Sequence, residues 1–298
     1  MTTSARGHAN IHLSLDLGAV RADGLREVRT VLQALELGVR VTVSDGEHEG
    51  TDLTWAGRGN ADPALDSARR AALRLFDEAG IWPGEAGVKI HITDDLGVAG
   101  RVGARSAVVG PLLRALDQHL GLGHSLEALE KLAGTVVAEG AFSVRNGTSL
   151  AQGPGEAITR LPSLPIIGVV IAEPRFPYLG ADRTDTAFAF YDLARRPRAV
   201  RPSTDPLLGV LPRRDWHRIA PMLSNAFEPV LFDLFPMLAG ISLLLRECGC
   251  FTAHLDGGGP CIYGLCDVGS EVKVARHLLD SGAAVRAVPT RTIAERET

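Results

Sequence analysis

Between residues 88 and 120 an alternating apolar run, VKIHI, leads into DDLGVAGRVGAR and then into SAVVGPLLRALDQHL. Strand side chains repeat every two residues and helix side chains every 3.6, so this change of period demands a strand, a tight loop and a helix in that order. A loop opening onto a helix N-terminus presents unpaired backbone N–H groups, which makes it a candidate anion-binding element. Gly97, Gly100 and Gly103 shape the loop, whereas Arg101 and Arg105 stand where a tight cradle would prefer glycine. Pro111 is expected to kink the helix unless it falls in the first turn.

The remaining pattern alternates strands and helices. ANIHLSLDLG reads as a half-buried strand with Ile11, Leu13 and Leu15 inward, and Val39, Val41 and Val43 form a second alternation. DPALDSARRAALRLFDEAG has Asp62 as an N-cap, Pro63 in the first turn and Gly80 as its stop, which predicts a helix. SLEALEKLAGTVVAEGA predicts one further helix starting at Ser125, RNGTSLAQGPGEAITRL a hairpin, and PIIGVVIAEP a buried strand. Helices are expected through TDTAFAFYDLA and residues 215–248. A strand, a GGGP turn, a strand, a helix and a last strand follow. This order predicts an α+β chain in two halves divided near residues 155–163.

With 298 residues, 45% of them apolar, the chain can bury a large core. Its net charge of −4 gives no general attraction to nucleic acid or to an anionic membrane surface. Lys89, Lys131 and Lys273 are the only lysines, so a catalytic lysine has few places to be. Cys248, Cys250, Cys261 and Cys266 lack the close pairing of a zinc site and read as buried reduced thiols. The N-terminus has no apolar signal core, and the longest apolar run, VLFDLFPMLAGISLLL, is broken by Asp233 and Pro236; a cytoplasmic protein is expected.

Three segments, taken together, resemble the GHMP small-molecule kinases, most nearly their 4-diphosphocytidyl-2-C-methyl-D-erythritol kinase branch. HANIHLSLDLGAVRADGLREVRTV follows that branch's P-A-K-I-N-L and D-G-Y-H-E patterns. VKIHITDDLGVAGRVGARSA falls on its strand and glycine-serine phosphate loop. NAFEPVLFDLFP with HLDGGGPCIYGLCD matches its N-D-x-E helix and S-G-S-G turn. The resemblance implies a two-domain α+β GHMP-kinase-like fold. Residues 1–158 would form a ribosomal-protein-like nucleotide-binding domain and residues 159–298 a ferredoxin-like domain. It further implies ATP and Mg²⁺ as cofactors and a small-molecule hydroxyl substrate from isoprenoid precursor metabolism. Neither nucleic acid nor membrane is an expected partner, and pairing into a homodimer is left open.

The departures from the family patterns carry information. Asn10 stands where the family has a catalytic lysine and His12 where it has asparagine; Leu25 and Arg26 replace the cytidine-reading tyrosine and histidine. Leucine cannot stack as tyrosine does, so the resemblance implies an altered substrate. In the loop, family glycines fall on Arg101, Ala104 and Arg105, and the second serine on Ala107; Gly100, Gly103 and Ser106 remain. Glu139 falls on the position of the catalytic aspartate, and Asp256 replaces the serine that precedes Gly257, Gly258 and Gly259. The implied roles are catalysis by Glu139 and Asn10, and nucleotide binding by Gly100, Arg101, Gly103, Arg105 and Ser106. Metal binding would fall to Ser106 and Glu139. Substrate binding would fall to His12, Arg26, Asp256 and Gly257 to Gly259. The rival reading is a pseudokinase that keeps the fold as a binding or scaffold protein.

Overall fold

The structure, a computed structural model, describes residues 1–57, 62–94, 103–153, 155, 157–175 and 203–293. The helical stretch TDTAFAFYDLA, together with Gly97, Gly100 and Arg101, lies outside the described residues. The chain forms two compact units: Met1–Asn10 with Ala34–Arg160, and Ile11–Gln33 with Leu161–Ala294. The boundaries fall inside two long strands, β1 (Thr2–Val20) and β2 (Arg26–Asp45), each of which contributes to both units.

In the first unit β3 (Thr51–Ala56) runs parallel to β4 (Val88–Asp94), and β4 runs antiparallel to β2, giving the order β3-β4-β2-β1. Val88, Ile90 and Ile92 are buried while Lys89 and His91 face outward, as the alternation predicted. The expectation that β1 is half-buried is corrected. Ala9, Ile11, Leu13 and Leu15 are buried, and so are His8, Asn10 and Ser14 on its other face. Those polar residues tolerate burial because they are bonded: the His8 ring to the Leu35 carbonyl at 2.8 Å, for example.

Four helices complete this unit among the described residues. α1 (Asp62–Ala79) ends at left-handed Gly80, where the amides of Gly80 and Ile81 return to the carbonyls of Asp77 and Phe76. α2 (Ala104–Leu120) runs through Pro111, which lies well inside it rather than in its first turn. Proline has no N–H for the Ala107 carbonyl, and that carbonyl faces Gly7 of β1. A Cβ on Gly7 would lie 1.8 Å from the Ala107 oxygen and 2.6 Å from Pro111 Cγ, so only glycine fits beneath this proline ridge. Gly7→Ala is expected to lower stability by about 3 kcal/mol, the upper range for overpacking; its urea midpoint checks this.

The single helix expected from Ser125 onward is two. α3 (Leu126–Gly134), capped by the Ser125 hydroxyl on the Ala128 amide, stops before a turn, and α4 (Gly140–Arg145) restarts beyond it. The break comes from packing: a Cβ at Gly140 would lie 2.2 Å from the Ala133 carbonyl oxygen, so the chain reverses closely against α3. The expected hairpin is present as antiparallel β5 (Thr148–Gly153) and β6 (Ala157–Arg160).

The second unit is built on an antiparallel sheet with the order β11-β7-β10-β9, namely Ala284–Arg291, Gly168–Pro174, Ile262–Cys266 and Thr252–Leu255. β7 is buried along its whole length, as its continuous apolar run predicted. A further short strand, β8 (Ser224–Asn225), pairs in parallel with Ser14 and Leu15 of β1.

The long helical run expected over residues 215–248 is instead several pieces. After α5 (Asp205–Val210) come α6 (Trp216–Ile219), β8, α7 (Glu228–Leu234) and α8 (Pro236–Glu247). Pro229 and Pro236 open α7 and α8, and these two helices bend by 110° at the break. Among the described residues no single helix is long and apolar enough to cross a membrane.

All four cysteines are free thiols; Cys250, Cys261 and Cys266 are buried. The hydrogen bond to Cys266, then burial, push the Cys250 thiol well above its usual value. Among the described residues no group of three or more His, Cys, Asp or Glu side chains is placed to hold a metal.

The last helix, α9 (Glu271–Asp280), is anchored by its first residue. Glu271 accepts the Gly269 amide and the Arg291 guanidinium, each at 2.6 Å. Burial works to raise this carboxyl, but the hydrogen bonds prevail and hold it below its ordinary value. Its stabilisation is therefore present above the unfolded carboxylate pKa and is lost as pH falls through the lower folded value. Glu271→Gln should cost about 1 kcal/mol at neutral pH, discounted because Arg291 is partly exposed. In thermal melts the difference from the native chain should close in acid.

Candidate active site

The loop and helix singled out at the start meet the beginning of β1. Gly103, in the left-handed conformation at φ 61°, turns the chain into α2. A Cβ there would lie 2.1 Å from Asn10 Oδ1, so both the backbone angle and the neighbour require glycine. Glycine brings no capping side chain, and the first-turn amides of this 17-residue helix remain a positive pole. Arg105 stands exposed in that first turn and adds positive charge. Ser106 is buried; its hydroxyl donates to the Gly103 carbonyl at 2.9 Å, with Asn10 Oδ1 at 3.5 Å.

Asn10 is only 1% exposed and connects this helix entrance to the candidate base. Its amide Nδ2 donates to Glu139 Oε2 at 3.0 Å. Glu139 sits just before α4 with φ 65°, a left-handed angle uncommon for a side-chain-bearing residue. Its amide donates to the Gly155 carbonyl at 3.3 Å, which ties this strained turn to the β5–β6 hairpin. Gly103, Ser106, Asn10 and Glu139 thus form one bonded chain of groups in the first unit.

A second polar cluster lies in the other unit. Asp256 Oδ1 is 3.1 Å from both the main-chain nitrogen and the ring Nδ1 of His12. Gly257 and Gly259 take positive φ angles of 50° and 78° in the turn that includes Gly258. Asn225 Nδ2 clamps this turn by donating to the Leu255 and Gly257 carbonyls, each at 2.8 Å. Arg26 is engaged with the Gly18 carbonyl at 3.1 Å. His254 is held between Glu228 at 3.1 Å and Thr252 at 2.8 Å, an arrangement that supports the strand.

Asn225, Tyr263 and a cluster around Thr204 were not singled out from sequence. Asn225 and Glu228 occupy the first and fourth places of the matched N-D-x-E pattern, and that was a usable signal. Thr204 is fully buried. Its amide donates to Asp16 at 2.7 Å and its hydroxyl pairs with Ser14 at 3.0 Å. Burial raises the Asp16 carboxyl above its usual value, against the hydrogen bonds from Thr204.

Comparison with known proteins places this geometry in a family. The family described as "GHMP kinases C terminal" matches residues 207–284. The 4-diphosphocytidyl-2-C-methyl-D-erythritol kinase of Geobacillus kaustophilus is 30% identical over 274 residues, covering 92% of this chain and 91% of that protein. The chain belongs to the GHMP kinase family. The enzyme of the same name from Heliobacterium modesticaldum is 32% identical to this GHMP kinase family member, covering 86% of this chain and 84% of its own. Among solved structures, a 4-(cytidine 5'-diphospho)-2C-methyl-D-erythritol kinase superposes with a TM-score of 0.74 at 23% identity. It covers 97% of this chain and 98% of its own. The L. major mevalonate kinase in complex with R-mevalonate gives 0.78 at 14% identity, covering 100% and 98%. These structural likenesses show the two-domain α+β GHMP kinase fold.

Proposed function

We propose that this chain is an ATP-dependent small-molecule kinase of isoprenoid precursor metabolism. It would phosphorylate a hydroxyl of a small polyol-type substrate, with a specificity different from that of its cytidylyl-substrate relatives. One observation carries the reading: Asn10 and Glu139, the two departures from the family's lysine and aspartate, are bonded to each other at 3.0 Å. The shorter side chain at one position is matched by the longer at the other, and a carboxylate is retained. Independent decay would not be expected to leave a matched pair, and this favours a remodelled enzyme over a scaffold.

The described residues fit a triphosphate. The α2 amides and Arg105 favour an anion, and no acidic residue stands in the first turn of α2. Magnesium needs only one or two protein oxygens when phosphates supply the rest, and Ser106 and Glu139 are the candidates. When bound, MgATP supplies the phosphoryl group and neutralises its developing charge.

The protein's part is positioning. Glu139 orients the acceptor hydroxyl and takes its proton as the new P–O bond forms and the bond to the departing diphosphate breaks. Asn10 holds the carboxylate, and the α2 entrance holds the phosphates. In this reading Gly100 and Arg101 would serve the nucleotide, and His12, Arg26 and the Gly257 to Gly259 turn would serve the substrate, as the family resemblance implies.

The test is calorimetric titration with ATP, with and without Mg²⁺, followed by a phosphorylation screen over methylerythritol derivatives, their cytidylyl forms and other small polyols. Magnesium-dependent binding and turnover of a polyol are expected. Absence of ATP binding under both conditions would replace the kinase reading with the pseudokinase one.

A further inference from the structure

The far end of α1 carries a feature that shares no residue with the candidate active site. A cleft of about 560 Å³ opens there, walled by α1, by residues 81–83 and by the turn that links α3 to α4. Every one of these segments belongs to the first unit. The volume suits a small molecule, since ligand pockets run from about 300 to 1,000 Å³.

One wall is apolar. Val136 is buried and Ile81 half-buried, while Leu73 is 44% and Trp82 71% exposed. A single apolar side chain at the surface means little, but large ones gathered around a cleft mark a place where something binds. The exposure of Trp82 is fixed by its backbone. The Ile81 amide returns to the Phe76 carbonyl at 2.8 Å and ends α1. Residues 82–85 then form a turn closed by the Glu85 amide on the Trp82 carbonyl, also at 2.8 Å. Pro83 takes the second place of that turn, where its fixed φ is already suitable. A Cβ on Gly84 would lie 2.7 Å from Trp82 Nε1, so the indole rests against this glycine. A ring held in this way loses little freedom when a ligand covers it.

The other wall is cationic. Arg70 and Arg74 stand one turn apart on the same face of α1. Arg74 has no hydrogen-bond or ion-pair partner among the described residues, and Arg70 reaches Asp66 only at 3.9 Å. Asp77 is the one carboxylate in the lining, which therefore keeps a net positive charge. Helix side chains lean toward the N-terminus, and this carries both guanidiniums away from the negative C-terminal pole of α1. An anionic group fits at the Arg70 and Arg74 end, and an apolar body fits at the Trp82 end.

We propose that this cleft is a binding site for a small anion with a flat apolar body. The charge lies on Arg70 and Arg74, and the body covers Trp82, Leu73 and Ile81. A bare anion would leave the apolar wall wet, and an uncharged aromatic would leave the guanidiniums unused, so the two walls select together. The site stands independently of the kinase reading.

Calorimetric titration of the full chain with 1-naphthyl phosphate, 1-naphthol and inorganic phosphate separates body from charge. Naphthyl phosphate is expected to bind about tenfold or more tightly than either of the others. Replacing Arg70→Ala and Arg74→Ala together should weaken it about tenfold and leave naphthol within about twofold. Trp82→Ala should weaken naphthyl phosphate and naphthol alike, by about fivefold. All three side chains are exposed, so the variants should fold. A measurement on the native chain complements them: the Trp82 indole N–H signal in nitrogen-15 NMR, assigned by its loss in Trp82→Ala, should move with naphthyl phosphate. The signals of Trp55 and Trp216, which do not line the cleft, should stay in place. Equal affinity for naphthyl phosphate and naphthol, or binding that the variants leave unchanged, overturns the proposal. So does an unmoved Trp82 signal. Self-association lost in Trp82→Ala, with no naphthyl phosphate bound, overturns it in favour of a contact between copies of this chain.

Discussion

Glu139→Gln is expected to lower kcat by about 10²- to 10⁴-fold, the range for loss of a positioned general base. Glutamine keeps the length of the side chain and an oxygen for Asn10 Nδ2, so the 3.0 Å bond and the turn it supports should survive. Only the capacity to take a proton and to carry negative charge is lost. Single-turnover phosphoryl transfer separates this chemical step from binding. A loss below about threefold would remove Glu139 from the reaction.

Glu139→Asp alone should be nearly as damaging. The carboxylate would withdraw by one methylene from Asn10, and displacements of about 1 Å can cost about 10²-fold. Pairing it with Asn10→Lys, which restores the longer partner, should recover much of the loss. If the double variant falls further, the idea that the two positions were matched to each other is wrong.

The second large effect is expected at Gly103. An alanine there meets two obstacles: a left-handed φ of 61° and Asn10 Oδ1 at 2.1 Å from the new Cβ. The backbone term is about 1–2 kcal/mol. The steric term forces Asn10 away from Glu139 or opens the start of α2. ATP affinity should fall by about tenfold or more, and kcat should fall as well because Asn10 serves both ends of the chain of groups. Calorimetry with MgATP and steady-state rates check the two parts. Unchanged ATP affinity would show that the α2 entrance does not hold the phosphates.

Local signals in the sequence were sufficient for elements whose ends are set by their own residues. α1 has its proline start and glycine stop, β4 its strict alternation, and the β5–β6 hairpin its glycines. They failed where packing sets the ends. The apolar period runs unbroken from α3 into α4, and the break appears only because Gly140 lies against Ala133. Burial of both faces of β1 was equally hidden, since Asn10 and Ser14 look solvent-facing until their partners are in place.

The site shows the same division. Motif order pointed to Asn10, Ser106, Glu139, His12 and Asp256 one at a time. That Asn10 meets Glu139 across 129 positions, and His12 meets Asp256 across 244, is a property of the fold and has no local signature.

Pairing of Ser14 with Ser224 and of Leu15 with Asn225 has a consequence for how this chain is made. On a ribosome working at about 5–20 residues per second, the second half of β1 waits roughly 10–40 s for its parallel neighbour to be synthesised. During that interval Leu13, Leu15 and Leu17, buried in the finished protein, belong to a strand whose edge is open to other chains. Slowing translation beyond residue 160 should therefore increase aggregation of nascent chains.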